Sequence, residues 1–232
     1  HQTKGLGCFM KMKKMAGFAA AAMMCSAFMA GCTAKSAASK GNQAGDTIKI
    51  GVNMELSGAA AGYGQQEKNG IELAVQEINA KGGVNVNGKK KKIKAIYRDN
   101  KSSTSTSASV AAQLTSQDKA VALIGPATTN AGTATIPTAN KASVPFLSAS
   151  ATAPDFTLDK KGNVQPYVFR ACFKDDYQGI TAAKFAYDTL KAKKVAILAD
   201  NSSDYGTGIT KAFKKVFKGQ VVATQYFQAG DK

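Results

Sequence analysis

From residue 46 onward, apolar positions fall into two alternating rhythms. Ile48, Ile50, Val52 and Met54 alternate with polar or small residues, predicting a short strand that ends in Glu55-Leu56-Ser57-Gly58. Ile71, Ala74, Val75 and Ile78 then recur at helical spacing, and Gly82-Gly83 supplies a stop. A strand at 93–97, a Ser/Ala-rich helix at 103–117 and a continuous apolar run at 121–124 follow. That run predicts a strand covered on both faces. A weak helix at 133–141 and a strand at 144–147, with Pro145 near its start, complete the first series. After a looser stretch at 153–165 the alternation resumes: strand 167–172, helix 179–191, strand 195–199, helix 205–217 and strand 221–227.

Regular strand–helix alternation predicts an α/β protein of mostly parallel sheets with right-handed crossovers. No fixed-period repeat is visible, and two layered lobes are expected, residues 46–165 and 166–232. In such sheets ligands bind beyond the carboxyl ends of the strands. The loops to inspect are therefore Ser57–Gln66, Gly125–Asn130, Ser148–Pro154 and Asp200–Gly206, all rich in Gly, Ser, Thr, Asn and Tyr. None is a phosphate-binding fingerprint: Gly125-Pro-Ala-Thr-Thr-Asn lacks the P-loop lysine, and Gly206-Thr-Gly208 lacks a third glycine. Neutral hydroxyls and backbone amides preceding helices suit a small anion such as a carboxylate.

The first 45 residues follow neither rhythm. Met10-Lys-Met-Lys-Lys-Met15 is a basic n-region, with His1–Phe9 reading as sequence upstream of a start at Met10 or Met12. Ala16–Ala30 is a small apolar stretch, shorter than the roughly 20 residues a spanning helix needs and suited to an export signal. It ends Phe28-Met29-Ala30-Gly31-Cys32, which resembles a bacterial lipobox and makes Cys32 the expected lipidation site, with residues 1–31 removed. Ordinary signal cleavage beside an incidental cysteine is the alternative. Residues 32–45 are then the lipidated cysteine and a flexible Ser/Ala/Gly/Lys tether.

Charge and cysteines narrow the function classes. The formal net charge is +16, and Lys4, Lys11, Lys13 and Lys14 precede Cys32, so the body remains strongly basic without the leader. Most lysines are scattered, and the run Lys89–Lys92 follows the turn signal Asn87-Gly88, which reads as a solvated hairpin tip. With no Trp and no basic stripe interleaved with aromatics, nucleic acid is not an expected partner. Cys8, Cys25, Cys32 and Cys172 make neither a disulfide framework nor a zinc spacing, and Cys172 reads as a buried, inert thiol. The lone His1 precedes the leader, so no Ser–His or Cys–His pair can form in the mature chain. No enzyme activity, cofactor or metal is expected.

In order, the motifs are Ile48-Lys-Ile-Gly-Val52, Leu56-Ser-Gly58, Tyr63-Gly64, Asn69-Gly70 and Ile78-Asn-Ala-Lys-Gly-Gly-Val84, then Ile124-Gly-Pro126 and Thr128-Thr129. Pro145-Phe-Leu-Ser-Ala-Ser-Ala-Thr152, Tyr167-Val-Phe-Arg170, Gln178-Gly179 and Asp204-Tyr-Gly206 follow. From Asp46 to Lys232 this series resembles the branched-chain amino-acid-binding proteins of ABC transporters, with the two-lobed type I periplasmic-binding fold. The resemblance implies two lobes closing on a zwitterionic amino acid. Thr129 matches the hydroxyl position that receives the ligand carboxylate. Ser150 matches a position whose backbone carbonyl takes the ammonium, and Thr152 one touching both ends. Tyr63 and Tyr205 match aromatic positions at the cleft mouth. Taken singly, the hydroxyls read better as helix or turn caps, and the tyrosines can be read as packing residues; only the shared family spacing favours the ligand roles.

The resemblance further implies an extracytoplasmic lipoprotein, held to the outer face of the membrane by Cys32, that delivers its ligand to ABC permease subunits as a monomer. A ligand-sensing module of the same fold, or a binding protein for amides, urea-like or other small solutes, stays open. Relatives often carry a cysteine pair near the second helix, absent from Asp99-Asn-Lys-Ser102. The chain is expected to stop before its second lobe is complete, leaving out the acidic residue that partners the ammonium.

Overall fold

A computed structural model describes residues 41–228, 230 and 231. The leader, Cys32 and the tether as far as residue 40 lie outside the described residues. The rest of the tether is already docked: the Asn42 amide donates to the Thr115 and Ala120 carbonyls, both at 2.8 Å.

Strand β1 (Ile48–Met54) leads through helix α1 (Ala61–Ala80) and the hairpin β2 (Val84–Val86) and β3 (Lys89–Lys91) to β4 (Ile93–Asp99). The chain continues through α2 (Thr104–Ser116), β5 (Ala122–Ile124), α3 (Thr129–Ala142), β6 (Phe146–Ser148) and β7 (Val168–Arg170). These strands form one five-stranded sheet in the order β4-β1-β5-β6-β7, parallel throughout. The remaining elements are α4 (Asp175–Lys184), a π-helical turn (Phe185–Thr189), β8 (Lys194–Asp200), α5 (Asp204–Val216) and β9 (Gln220–Phe227). Strands β8 and β9 make a separate parallel pair.

The alternation of β1 decides what each face holds. Val52 and Met54, both fully buried, meet Ala127 with Leu56, Ile71, Ala95 and Tyr97 beside α1. Asn53 points the other way, where its amide lies 3.0 Å from the Ser107 carbonyl, Ser107 Oγ and Thr135 Oγ1, tying β1 to α2 and α3. Beyond that polar knot lies the larger apolar cluster, including Val110, Leu114, Leu123, Val144, Phe146, Phe156 and Val168. The Phe146 and Phe156 rings meet edge to face at 5.7 Å.

Three expectations change. Helix α1 begins at Ala61, ten residues before its first strongly apolar position, so half of the expected Ser57–Gln66 loop is helical. Its early turns carry Gly62 and Gly64 in place of bulky residues. Gly64 is buried, and a Cβ there would lie 2.0 Å from the Glu55 carbonyl oxygen, so close approach to β1 fixes that composition. Helices α3 and α4 likewise start four residues earlier than their apolar periodicity, at Thr129 and Asp175. Strand β7, placed by periodicity in the second lobe, pairs with β6 and extends the first sheet, because Val168 fills the core beside Phe146. The break between sheets therefore follows Arg170 and not residue 165.

Candidate functional site

The chain visits β1 and β4, then crosses to β5 on the other side of β1, so sheet order reverses at β1. Just beyond the carboxyl ends of β1, β5 and β6 lie Glu55, Gly125–Thr129 and Ser148–Thr152. This is the crevice in which open parallel sheets bind ligands.

Glu55 organises the crevice. Fully buried, its carboxylate accepts hydrogen bonds from Ala127 N (2.9 Å), Thr128 N (3.1 Å) and Thr128 Oγ1 (2.7 Å). Burying a carboxylate is costly without such donors, and here they come from the turn entering α3. Thr128 is also the N-cap of α3, its hydroxyl accepting from Ala131 N at 3.4 Å. The Thr129 and Asn130 amides, the next two of the first turn, have no partner among the described residues. They are the open donors of a helix N-terminus, where an anion gains from both hydrogen bonds and the helix dipole.

Two contacts join this turn to the 148–154 loop. Ser150 Oγ lies 2.8 Å from the Ala127 carbonyl oxygen, and Thr129 Oγ1 accepts from Ala153 N at 3.4 Å. Ser148 Oγ secures the same loop by donating to Pro126 O at 2.6 Å and accepting from Ala151 N at 3.0 Å. Thr129 and Thr152 are buried. Ser150 Oγ also contacts Glu67 Oε1 on α1. The other oxygen of Glu67 is buried without a partner, and burial pushes its carboxyl above the usual range, helped by Glu55 and opposed by Ser150.

The Thr152 carbonyl accepts from Asp175 N (2.8 Å) at the start of α4. The Asp175 side chain is fully buried, and neither carboxylate oxygen makes a hydrogen bond. Burial raises its proton affinity, opposed by the Thr152 hydroxyl and the Arg170 guanidinium. A groove of about 1000 Å³ runs past Asp175 between α3 with the 153–165 loop and α4 with α5, and Thr129 and Lys211 are among the residues lining it.

Thr129, Ser150 and Thr152 are thus brought together by the 127–129 and 150–153 segments. Among the described residues no hydrogen bond or ring contact joins the Tyr63 or Tyr205 side chain to them. Tyr63 stands in the first turn of α1, 69% exposed, and Tyr205 in the first turn of α5, its hydroxyl 3.2 Å from Gln178 Oε1. Cys172, expected to be buried, is only half-buried; burial raises its thiol pKa, and its Sγ lies 3.5 Å from the Ala151 carbonyl oxygen. Sequence reasoning passed over Glu55, Glu67 and Asp175 as site residues. For Glu55 a signal was available: a carboxylate ending an otherwise apolar central strand has to find donors at the strand's carboxyl end.

Residues 47–232 match the family model described as periplasmic binding protein, and the chain belongs to that family. It is 33% identical over 168 residues to the "Amino acid binding protein" of Pseudomonas aeruginosa, covering 71% of this chain and 42% of that one. It is 36% identical over 171 residues to the "Leu/Ile/Val-binding protein homolog 2" of Brucella abortus, covering 72% and 43%. Among solved structures it resembles the branched-chain amino acid transporter substrate binding protein LivJ from Streptococcus pneumoniae, crystallised with isoleucine. The identity is 46% and the TM-score 0.74, with 80% of this chain and 51% of that one covered. A solute binding protein from Rhodopseudomonas palustris in complex with p-hydroxybenzoic acid matches at 29% identity and TM-score 0.67, covering 80% and 48%. The chain spans about half the length of the relatives it matches. The resemblance and α/β fold expected from the motifs are borne out at the level of family.

Proposed function

We propose that this chain carries the first half of the recognition site of an extracytoplasmic solute-binding lipoprotein. In this reading it captures a small zwitterionic amino acid of the branched-chain class and passes it to an ABC importer. Cys32 anchors it to the outer face of the membrane, and it works as a monomer without chemical turnover. One observation carries the reading: the 148–154 loop touches both the open first turn of α3, through Ala153 and Thr129, and the acidic Glu67, through Ser150. The open Thr129 and Asn130 amides suit a carboxylate. The Ser150 carbonyl accepts no hydrogen bond among the described residues, the hydroxyl of the same residue contacts Glu67, and the two acceptors suit an ammonium. Thr129 takes the ligand carboxylate, Thr152 touches both ends, and Tyr63 and Tyr205 flank the mouth.

The match to a hydroxybenzoate-binding protein supports a second reading, a simple aromatic carboxylate. Such a ligand would use the donor end but bring no cation to Glu67, which disfavours it here. Thermal melts of residues 33–232 with leucine, isoleucine, valine and p-hydroxybenzoate separate the two. Ligand at about 100 times its Kd raises stability by about 2.7 kcal/mol. A rise with an aliphatic amino acid is expected. A rise with hydroxybenzoate alone overturns the zwitterion reading.

A further inference from the structure

The Ser150 hydroxyl has one proton and two oxygen neighbours that ordinarily accept: the Ala127 carbonyl at 2.8 Å and Glu67 Oε1. One proton cannot serve both. If Glu67 were ionised, one of these contacts would set two acceptors against each other, and the partnerless Oε2 would be a buried charged oxygen. A proton on Oε1 resolves both problems. Oε1–H then donates to Ser150 Oγ, Ser150 Oγ–H donates to Ala127 O, and Oε2 is the neutral carbonyl oxygen of an acid.

The surrounding charges agree. Glu55 faces Glu67 from β1, and Cys172 approaches from beyond β7. Lys68, the neighbouring cation on α1, is engaged with Glu72 at 3.3 Å and lies over the Tyr97 ring. No ion pair reaches Glu67 among the described residues, and burial and Glu55 both favour its neutral form.

We infer that Glu67 holds a proton in the ligand-free protein, donated in a hydrogen-bond chain to Ser150, whose own hydroxyl donates to the Ala127 carbonyl, and that an ammonium-bearing ligand seated beside Ser150 displaces the Glu67 proton to solvent. The second half rests on the zwitterion reading above. The balance is simple: the carboxylic acid loses its proton to water, the resulting carboxylate faces the incoming ammonium, and no covalent bond within the ligand changes. Ser150 Oγ–H then turns to the carboxylate and frees the Ala127 carbonyl as an acceptor. A ligand without an ammonium gains nothing from this step, so Glu67 discriminates amino acids from plain carboxylates within the first sheet's own residues.

Two measurements on the whole chain decide the two halves separately. The glutamates are Glu55, Glu67, Glu72 and Glu77, so carboxyl-carbon NMR of glutamate-labelled protein is tractable, with the Glu67 signal identified by its loss in Glu67→Gln. In the absence of ligand, Glu67 is expected to titrate above the ordinary glutamate range. Titration within that range overturns the first half. Calorimetry with isoleucine in two buffers of different ionisation heat then counts protons. Release approaching about one proton per ligand is expected at pH values where Glu67 is protonated, and it should vanish in Glu67→Gln, whose amide mimics the protonated acid. Binding without release overturns the displacement step while leaving the ligand reading standing. No binding by leucine, isoleucine or valine overturns the ligand reading and the displacement step together, and the titration still decides the proton.

Discussion

At the scale of the residue, the chemistry of this protein rests on carboxylates in three different settings. Glu55 is buried with three donors, Glu67 with a hydroxyl and an empty oxygen, and Asp175 with both side-chain oxygens outside hydrogen-bonding geometry. An acid whose native pKa lies above its unfolded value binds its proton more tightly when folded. Its contribution is most favourable below the unfolded pKa and is lost as pH rises through the native pKa. Asp175 is such a group. Asp175→Asn is therefore expected to raise the melting temperature at pH 7, with the gain closing towards pH 4; equal melting curves at pH 7 would show that the buried carboxylate is not a cost. Glu55→Gln should act in the opposite sense. It removes the charge that Ala127 N, Thr128 N and Thr128 Oγ1 converge on, and breaking hydrogen bonds to a buried charged group costs about 1.5–3 kcal/mol, readable by urea denaturation at pH 7.

At the scale of the element, helix starts are set by caps and close approaches. Ser103 and Ser203 cap α2 and α5, accepting from Thr106 N at 3.3 Å and Gly206 N at 3.2 Å. Ser103→Ala should cost about 0.5–2 kcal/mol, measured as a lowered denaturation midpoint. Where α4 crosses α5, a Cβ on Gly179 would lie 2.6 Å from the Ile209 carbonyl oxygen and 2.8 Å from Phe213 N. Those are backbone atoms and cannot step aside alone. Gly179→Ala should cost about 1–3 kcal/mol by overpacking, seen as a melting temperature several degrees lower. The apolar periodicity that located these helices could not place their first turns. The opening residues of α1, α3 and α4 are small or polar because they face strand ends and the crevice.

At the scale of the whole molecule, the five-stranded sheet and the β8–β9 pair differ in how they are covered. The five-stranded sheet buries both faces, whereas the β8–β9 pair is covered on one side by α5 and leaves Leu198 72% and Val222 53% exposed. Exposed apolar strands invite association. Replacing both residues with threonine, which keeps strand propensity, should leave the melting temperature nearly unchanged, since neither side chain is buried. A drop of several degrees would show that these side chains are covered in the protein in solution.

The sequence by itself determined the order and type of nearly every element, because a 2-residue and a 3.6-residue period are local signals. It also determined the four loops to inspect and, through motif order, the family. Tertiary structure alone decided what those loops do to one another. That β7 belongs to the first sheet follows from Val168 packing beside Phe146, a pairing no local pattern carries. Thr129, Ser150 and Thr152 come together because β5 and β6 lie side by side, while Tyr63 and Tyr205 stand apart on the first turns of α1 and α5. The pairing of Glu67 with Ser150 joins residues 83 apart in the chain. Proton affinity and hydrogen-bond supply depend on such neighbours in space, so the acidic end of the crevice became visible only when the chain was folded.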